Sequence, residues 1–226
     1  MKRIYHIGIA KLTGLLSGLS LLVTSCSKNN EQPVTANGQS ITVTDLPGDT
    51  SATMAGGAAS FIPLYFSFAT NSKMEILNGD KPTLKWDLAF TGPYNSEIYV
   101  NSGGYVYNPG YGGPGKGAVI QVDSAFDQVT TAPADSLFDA PTMTKIGWDA
   151  GNGMGWFFYS LDNHIAVPIK NRTFILRTAE GKYAKLEVLN VYKGNPPVVT
   201  DLFWPAPYFT FRYFVQADGG HTIRTK

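Results

Sequence analysis

A chain of 226 residues with 43% hydrophobic residues holds enough apolar surface for one core of ordinary size and lies far from disordered or collagen-like compositions. Its 18 basic and 17 acidic side chains leave a net charge of +1, without the broad positive field that nucleic acid or an anionic lipid surface selects. No nucleic-acid partner is expected.

The chain begins with Lys2 and Arg3 ahead of an apolar run, densest from Leu12 to Val23, that is too short to span a bilayer comfortably. This is a signal-peptide pattern, and it closes on "LLVTSC", where small Thr24 and Ser25 stand directly before Cys26. The pattern resembles a bacterial lipobox. Residues 1–25 then form a lipoprotein signal peptide and Cys26 is the lipidated residue; a secretory signal that happens to contain a cysteine is the alternative. Cys26 is the only cysteine, so disulfides and cysteine metal clusters are ruled out and the mature chain depends on its own core. Several acyl chains, at about 0.8 kcal/mol per buried CH₂, give stable membrane attachment. No later segment is long and apolar enough to cross a bilayer.

Residues 26–40 are Cys26 and the "SKNNEQPVTANGQS" that follows it, which has almost no large apolar side chain to offset its ordering entropy and reads as a flexible tether. Beyond it, "ITVTDL", "FIPLYFSF", "LKWDLAF", "SEIYVNS" and "GAVIQV" are short runs of β-branched and aromatic residues between Gly, Pro and Asn clusters. They predict strands. Only "DSAFDQVTT" has helical spacing, with Asp123 or Ser124 as N-cap and Phe126 and Val129 for burial. "RTFILRT" and "YAKLEVLNVY" flank "AEGK", a hairpin whose Gly181 suits a turn of positive φ. In its second strand Ala184, Leu186 and Val188 share the inner face, and Lys185 and Glu187 are expected on a wet outer face. Phe209, Phe211, Tyr213 and Val215 share a face of the last strand. The expected fold is all-β, one antiparallel domain over 41–217 with one short helix, followed by a polar tail at 218–226.

Motifs for chemistry are few. "GYGGPGKG" at 110–117 imitates a phosphate-binding loop, but Gly117 replaces the metal-binding hydroxyl, Pro114 removes an N–H, and a strand follows where a helix is needed. It reads as a glycine-rich β-connection. With His6 in the leader, only His164 and His221 remain, and no hydrolase or zinc motif accompanies them. Asp87 and Asp127 are more simply hydrogen-bonding residues than an acid/base pair. No enzyme is expected. Tyr105, Tyr107, Tyr111 and Trp204 could stack on a sugar ring, meet a partner protein or cover sheet edges.

The order "YFSF", "LKWDLAF", "VNSGG", "GKGAVIQV", "FDQVTTAPAD" and "FILRTAEGKYAKLEVLNVY", from Tyr65 to Tyr192, resembles the HmuY-like haem-binding lipoproteins of Gram-negative bacteria. The resemblance implies an all-β domain anchored to the outer membrane, on its periplasmic or cell-surface face. It also implies uptake of haem or a related porphyrin and transfer to a TonB-dependent outer-membrane receptor. Members hold haem iron with two side chains, histidines in the founding protein and methionines in some relatives. The founding pattern would put the second ligand at Leu161, which cannot coordinate iron, and the segment 136–154 ahead of it looks shortened.

The donors that remain are Met143, Met154 and His164, all near Trp148, Trp156, Phe157 and Tyr159. Haem needs two such donors on opposite faces of an apolar slot. Each has another reading: Met143 as a gap-filling thioether, Met154 as an exposed loop residue, His164 as a turn residue beside Asp162 and Asn163. The alternative function is a glycan- or protein-binding module on the same scaffold, without haem.

Overall fold

The computed structural model describes residues 38–57, 60–140, 144–200 and 202–226. Cys26, most of the tether and Met143 lie outside the described residues. The strands are Ile41–Pro47 (β1), Leu64–Ser67 (β2), Ser72–Met74 (β3), Leu88–Thr91 (β4), Glu97–Val100 (β5) and Ala118–Val122 (β6). Lys145–Ile146 (β7), Phe157–Ser160 (β8), Ile165–Pro168 (β9), Thr173–Arg177 (β10), Tyr183–Asn190 (β11) and Tyr208–Val215 (β12) complete them. They form a five-stranded sheet in the order β1-β12-β11-β10-β6, a second in the order β3-β2-β4-β5-β7, and the ribbon β8-β9. Every pairing between these strands is antiparallel.

The period-2 alternation of the sequence places the core. Phe209, Phe211 and Tyr213 of β12 point inward with Ala184, Leu186 and Val188 of β11, and meet Phe66, Phe90, Ile98 and Val100 of the second sheet. Aromatic rings bridge the sheets, Phe66 to Phe211 at 5.3 Å between centroids and Phe90 to Phe209 at 4.7 Å, the tilted or edge-on contacts their quadrupoles favour. The β10–β11 hairpin closes as its sequence predicts: Gly181 has φ 87° and its N–H donates to Thr178 O at 2.9 Å.

Three expectations change. The helix predicted in "DSAFDQVTT" is only a 3₁₀ turn, Phe126–Gln128, entered from Ala125 with no side-chain cap. Phe126 is buried all the same, because a single turn suffices to bring it onto the sheet. The α-helix among the described residues is Asp135–Asp139 (α1), which buries Phe138.

The outer face of β11 is not wet. Phe126, Val129, Phe138 and Ile223 cover it in a second apolar layer with Ile175, Tyr183 and Phe214, and Lys185 is fully buried there. Its ammonium donates to Phe126 O at 2.7 Å, Val129 O at 2.8 Å and Thr225 Oγ1 at 3.0 Å, and lies 4.3 Å from the centre of the Phe126 ring. Burial lowers the Lys185 ammonium to a pKa of about 8. The charge on its side chain disguised a core position as a surface one.

The third change is at the C-terminus. Ile223 is completely buried, its N–H donates to Thr130 O at 2.9 Å, and Lys226 N–H donates to Gly38 O at 2.9 Å. Residues 222–226 are thus built into the outer layer.

The glycine-rich connection folds around Asn101, whose Nδ2 donates to Thr83 O and Trp86 O, both at 2.8 Å. A Cβ at Gly110 or Gly115 would fall 2.3 or 2.5 Å from Asn101 Oδ1, and one at Gly117 would fall 2.2 Å from Asn101 O. Close packing, not an anion, requires these glycines. Among the described residues Asn101 Oδ1 has no N–H or O–H donor, and the Cα–H groups of Gly110 and Gly115 face it instead.

Candidate functional site

A groove of about 610 Å³ is lined by residues of four segments: Met54; Tyr94 and Glu97 around the start of β5; Trp148, Phe157, Tyr159 and His164 around the β8-β9 ribbon; and Tyr192, Leu202 and Trp204 between β11 and β12. Its walls are mainly apolar and aromatic, and its volume suits a small-molecule ligand.

The β4–β5 connection sets the first wall. Tyr94 and Asn95 both have positive φ, 50° and 53°, an uncommon conformation that the surroundings must hold. The buried Asn95 amide holds it, with Nδ2 donating to Phe90 O at 3.2 Å and to Ile62 O at 2.9 Å. Asn95 Oδ1 in turn accepts from Asp49 N–H at 2.7 Å. One side chain therefore ties Tyr94 and the segment that carries Met54 to the same sheet.

The ribbon forms another wall. Phe157 and Tyr159 line the groove, while Phe158 between them is exposed, as strand alternation dictates. Two isolated strands are marginal in water. Here Tyr192 Oη accepts the Ala166 N–H at 2.9 Å, and Trp156 Nε1 donates to Ser96 O at 2.8 Å. Trp148 stands edge-on to Tyr159 at 6.3 Å and is 53% exposed. The residue after it, Asp149, is buried and accepts from Arg172 Nη1 at 2.7 Å and from the N–H groups of Gly151 and Gly153 at 2.9 and 3.1 Å. The Arg172 guanidinium, with those two N–H groups, holds the Asp149 carboxyl below its ordinary range.

His164 ends the four-residue turn of the ribbon with φ 57°, a region histidine enters more readily than most residues. Its Nδ1 lies 3.0 Å from Tyr159 Oη. In the tautomer where Nδ1–H donates to the phenol, Nε2 carries the lone pair that a metal requires. Leu161 lies at the opposite end of the same turn and is exposed.

The expected donors separate. His164 lines the groove, Met154 does not, and Met143 is outside the described residues. The Met154 loop is tied toward β6: Gln121 Nε2 donates to Gly153 O at 2.5 Å, and Gly155 N–H donates to Gln121 Oε1 at 2.9 Å. His221 is in the outer layer, stacked on Tyr183 at 4.2 Å. The tyrosines and Trp204 also divide, since Trp204 lines the groove while Tyr105 and Tyr107 pack edge-on to each other at 5.6 Å and do not.

Sequence reasoning passed over Met54. It is 49% exposed and lines the groove with His164, and the available signal was that the chain has only five methionines. Asp87, considered above as an acid, is buried away from the groove lining, and its Oδ2 accepts from Phe68 N–H at 2.8 Å. Burial raises its carboxyl to about 6. Asp127 binds Arg212 Nη1 at 3.1 Å and Thr225 Oγ1 at 3.1 Å.

A family model described as HmuY protein matches residues 63–200. No curated protein matches the chain. Among solved structures, the apo HmuY analog of Tannerella forsythia is 13% identical, with 79% of this chain and 95% of that chain covered and a TM-score of 0.44. A Bacteroides vulgatus protein described as HmuY-like and heme binding is 13% identical over 78% of this chain and 91% of its own, with a TM-score of 0.39. A Bacteroides fragilis protein described as a lipoprotein is 13% identical over 80% and 91%, also with a TM-score of 0.39.

Proposed function

The chain belongs to the HmuY family, and from that premise we propose that it binds haem or a related porphyrin in the groove, as cargo for uptake and without catalysing a reaction. The observation that carries this reading is His164 in an aromatic groove of about 610 Å³, its Nδ1 engaged by Tyr159. The residues fit such a ligand. Tyr94, Trp148, Tyr159 and Trp204 offer ring faces and edges to a flat macrocycle, and His164 Nε2 offers iron a borderline donor. Tyr159 fixes the imidazole orientation, a task that outer-shell partners commonly perform for metal-binding histidines.

Haemin titration followed at the Soret band tests the reading. The wild type gives a saturable shift, and His164→Ala weakens binding at least tenfold, about 1.4 kcal/mol per decade. A wild type without a specific shift would remove the haem reading and leave a surface-binding module.

The same reading puts the domain at the outer membrane, held by acyl chains on Cys26 and delivering haem to a TonB-dependent receptor. Two acyl signals or more make such attachment stable. Cys26→Ala is expected to abolish metabolic palmitate labelling and release a folded domain. Label retained in that variant would refute the anchor.

A further inference from the structure

We propose that Met54 supplies the thioether that ligates haem iron together with His164. This rests on the haem reading of the groove and adds to it a ligand that lies ahead of the family-matched residues 63–200.

Elimination among the lining residues points to Met54. Glu97 carries a carboxylate, but Lys145 Nζ holds it at 3.1 Å. Tyr159 Oη is engaged by His164, and Tyr192 Oη by the Ala166 N–H. The Tyr94 ring packs on Phe61 at 5.0 Å, and as a phenol it would have to lose a proton to bind iron strongly. The Met54 thioether needs no deprotonation and is a soft donor of the kind that pairs with histidine on haem iron.

The segment that bears Met54 is fastened at both ends. Asp49 Oδ1 accepts from Ser51 N–H at 3.1 Å and Ser51 Oγ at 2.6 Å, and Asp49 Oδ2 accepts from Ile62 N–H at 2.9 Å. Asp49 N–H and Ile62 O are both bound by the Asn95 side chain, at 2.7 and 2.9 Å, beside Tyr94 in the groove wall. Met54 opens a 3₁₀ turn, Met54–Gly56, and Gly57 at φ 82° closes it with its N–H on Met54 O at 3.0 Å. A half-exposed thioether on a short turn with clamped feet is presented to the groove from a segment distinct from the one bearing His164.

The test compares haemin with metal-free protoporphyrin IX on the wild type, Met54→Leu and Met154→Leu. Leucine keeps the bulk of methionine and removes the lone pair. Met54→Leu is expected to weaken haemin at least tenfold and to move its spectrum away from the low-spin six-coordinate form. Its affinity for metal-free protoporphyrin should stay within about twofold. In the reduced haem complex, a methionine ε-methyl proton resonance shifted by the porphyrin ring current should vanish in Met54→Leu and persist in Met154→Leu. Equal loss for both porphyrins would make Met54 a wall contact and overturn the ligation. So would unchanged haemin binding, or loss of the shifted resonance in Met154→Leu instead. A wild type that binds neither porphyrin would refute the haem reading itself.

Discussion

Replacing Lys185 with methionine removes a buried ammonium while keeping most of its volume. Three charge-assisted hydrogen bonds go with it, to Phe126 O, Val129 O and Thr225 Oγ1, each contributing about 1.5–3 kcal/mol. Phe126 O keeps a long bond from Val129 N–H at 3.3 Å. Val129 O loses a strong donor. The contact with the face of Phe126, about 1–2 kcal/mol when desolvated, is lost as well. Against these losses stands the cost of keeping the ammonium charged in the core. A fall from 10.5 to about 8 corresponds to roughly 3 kcal/mol. The hydrogen bonds outweigh it, and the variant should be less stable by about 2 kcal/mol or more in urea unfolding at pH 7.

The same group leaves a signature in pH. Its folded pKa is below its unfolded one, so between about pH 8 and 10.5 the unfolded chain holds the extra proton and wild-type stability gains a rising term. Lys185→Met should lack that rise. A variant as stable as wild type at pH 7, or one that keeps the alkaline rise, would show that the ammonium does not organise the outer layer.

Asp87 gives the opposite slope, because its folded pKa is raised to about 6: the contribution is full below about pH 4 and is lost as pH rises through 6. Asp87→Asn, which keeps an acceptor for Phe68 N–H, should flatten the stability profile between pH 4 and 6 by up to about 3 kcal/mol; an unchanged profile would assign the slope elsewhere. Deleting residues 218–226 removes Ile223 and the Thr225 hydroxyl beside Lys185. The domain should lose about 3 kcal/mol or more, lowering the Tm by roughly 10 °C; an unchanged melting curve would show that the terminus is ornamental to the fold.

Strand positions were legible wherever apolar residues alternate over a buried inner face, as in "YFTFRYFV", because period 2 is a local property. The outer layer was not. Lys185 looks like a solvated residue until a turn at Phe126 and a C-terminal isoleucine cover it, and neither lies near it in sequence. The short strands β3 and β7 escaped for a related reason, since two or three residues carry too little periodicity. At the groove, His164 and its aromatic neighbours Trp148 and Tyr159 were visible as one cluster. Met54 was not, because Asn95 brings it to the groove through hydrogen bonds across more than thirty positions.

A crystal structure of the protein grown with haemin measures where the porphyrin sits. The expected result is a macrocycle in the groove between Trp148, Tyr94 and Trp204, with iron bonded to His164 Nε2 while Nδ1 stays on Tyr159 Oη. Porphyrin seated on the Tyr105–Tyr107 surface, or iron bonded only to residues outside the groove, would contradict it.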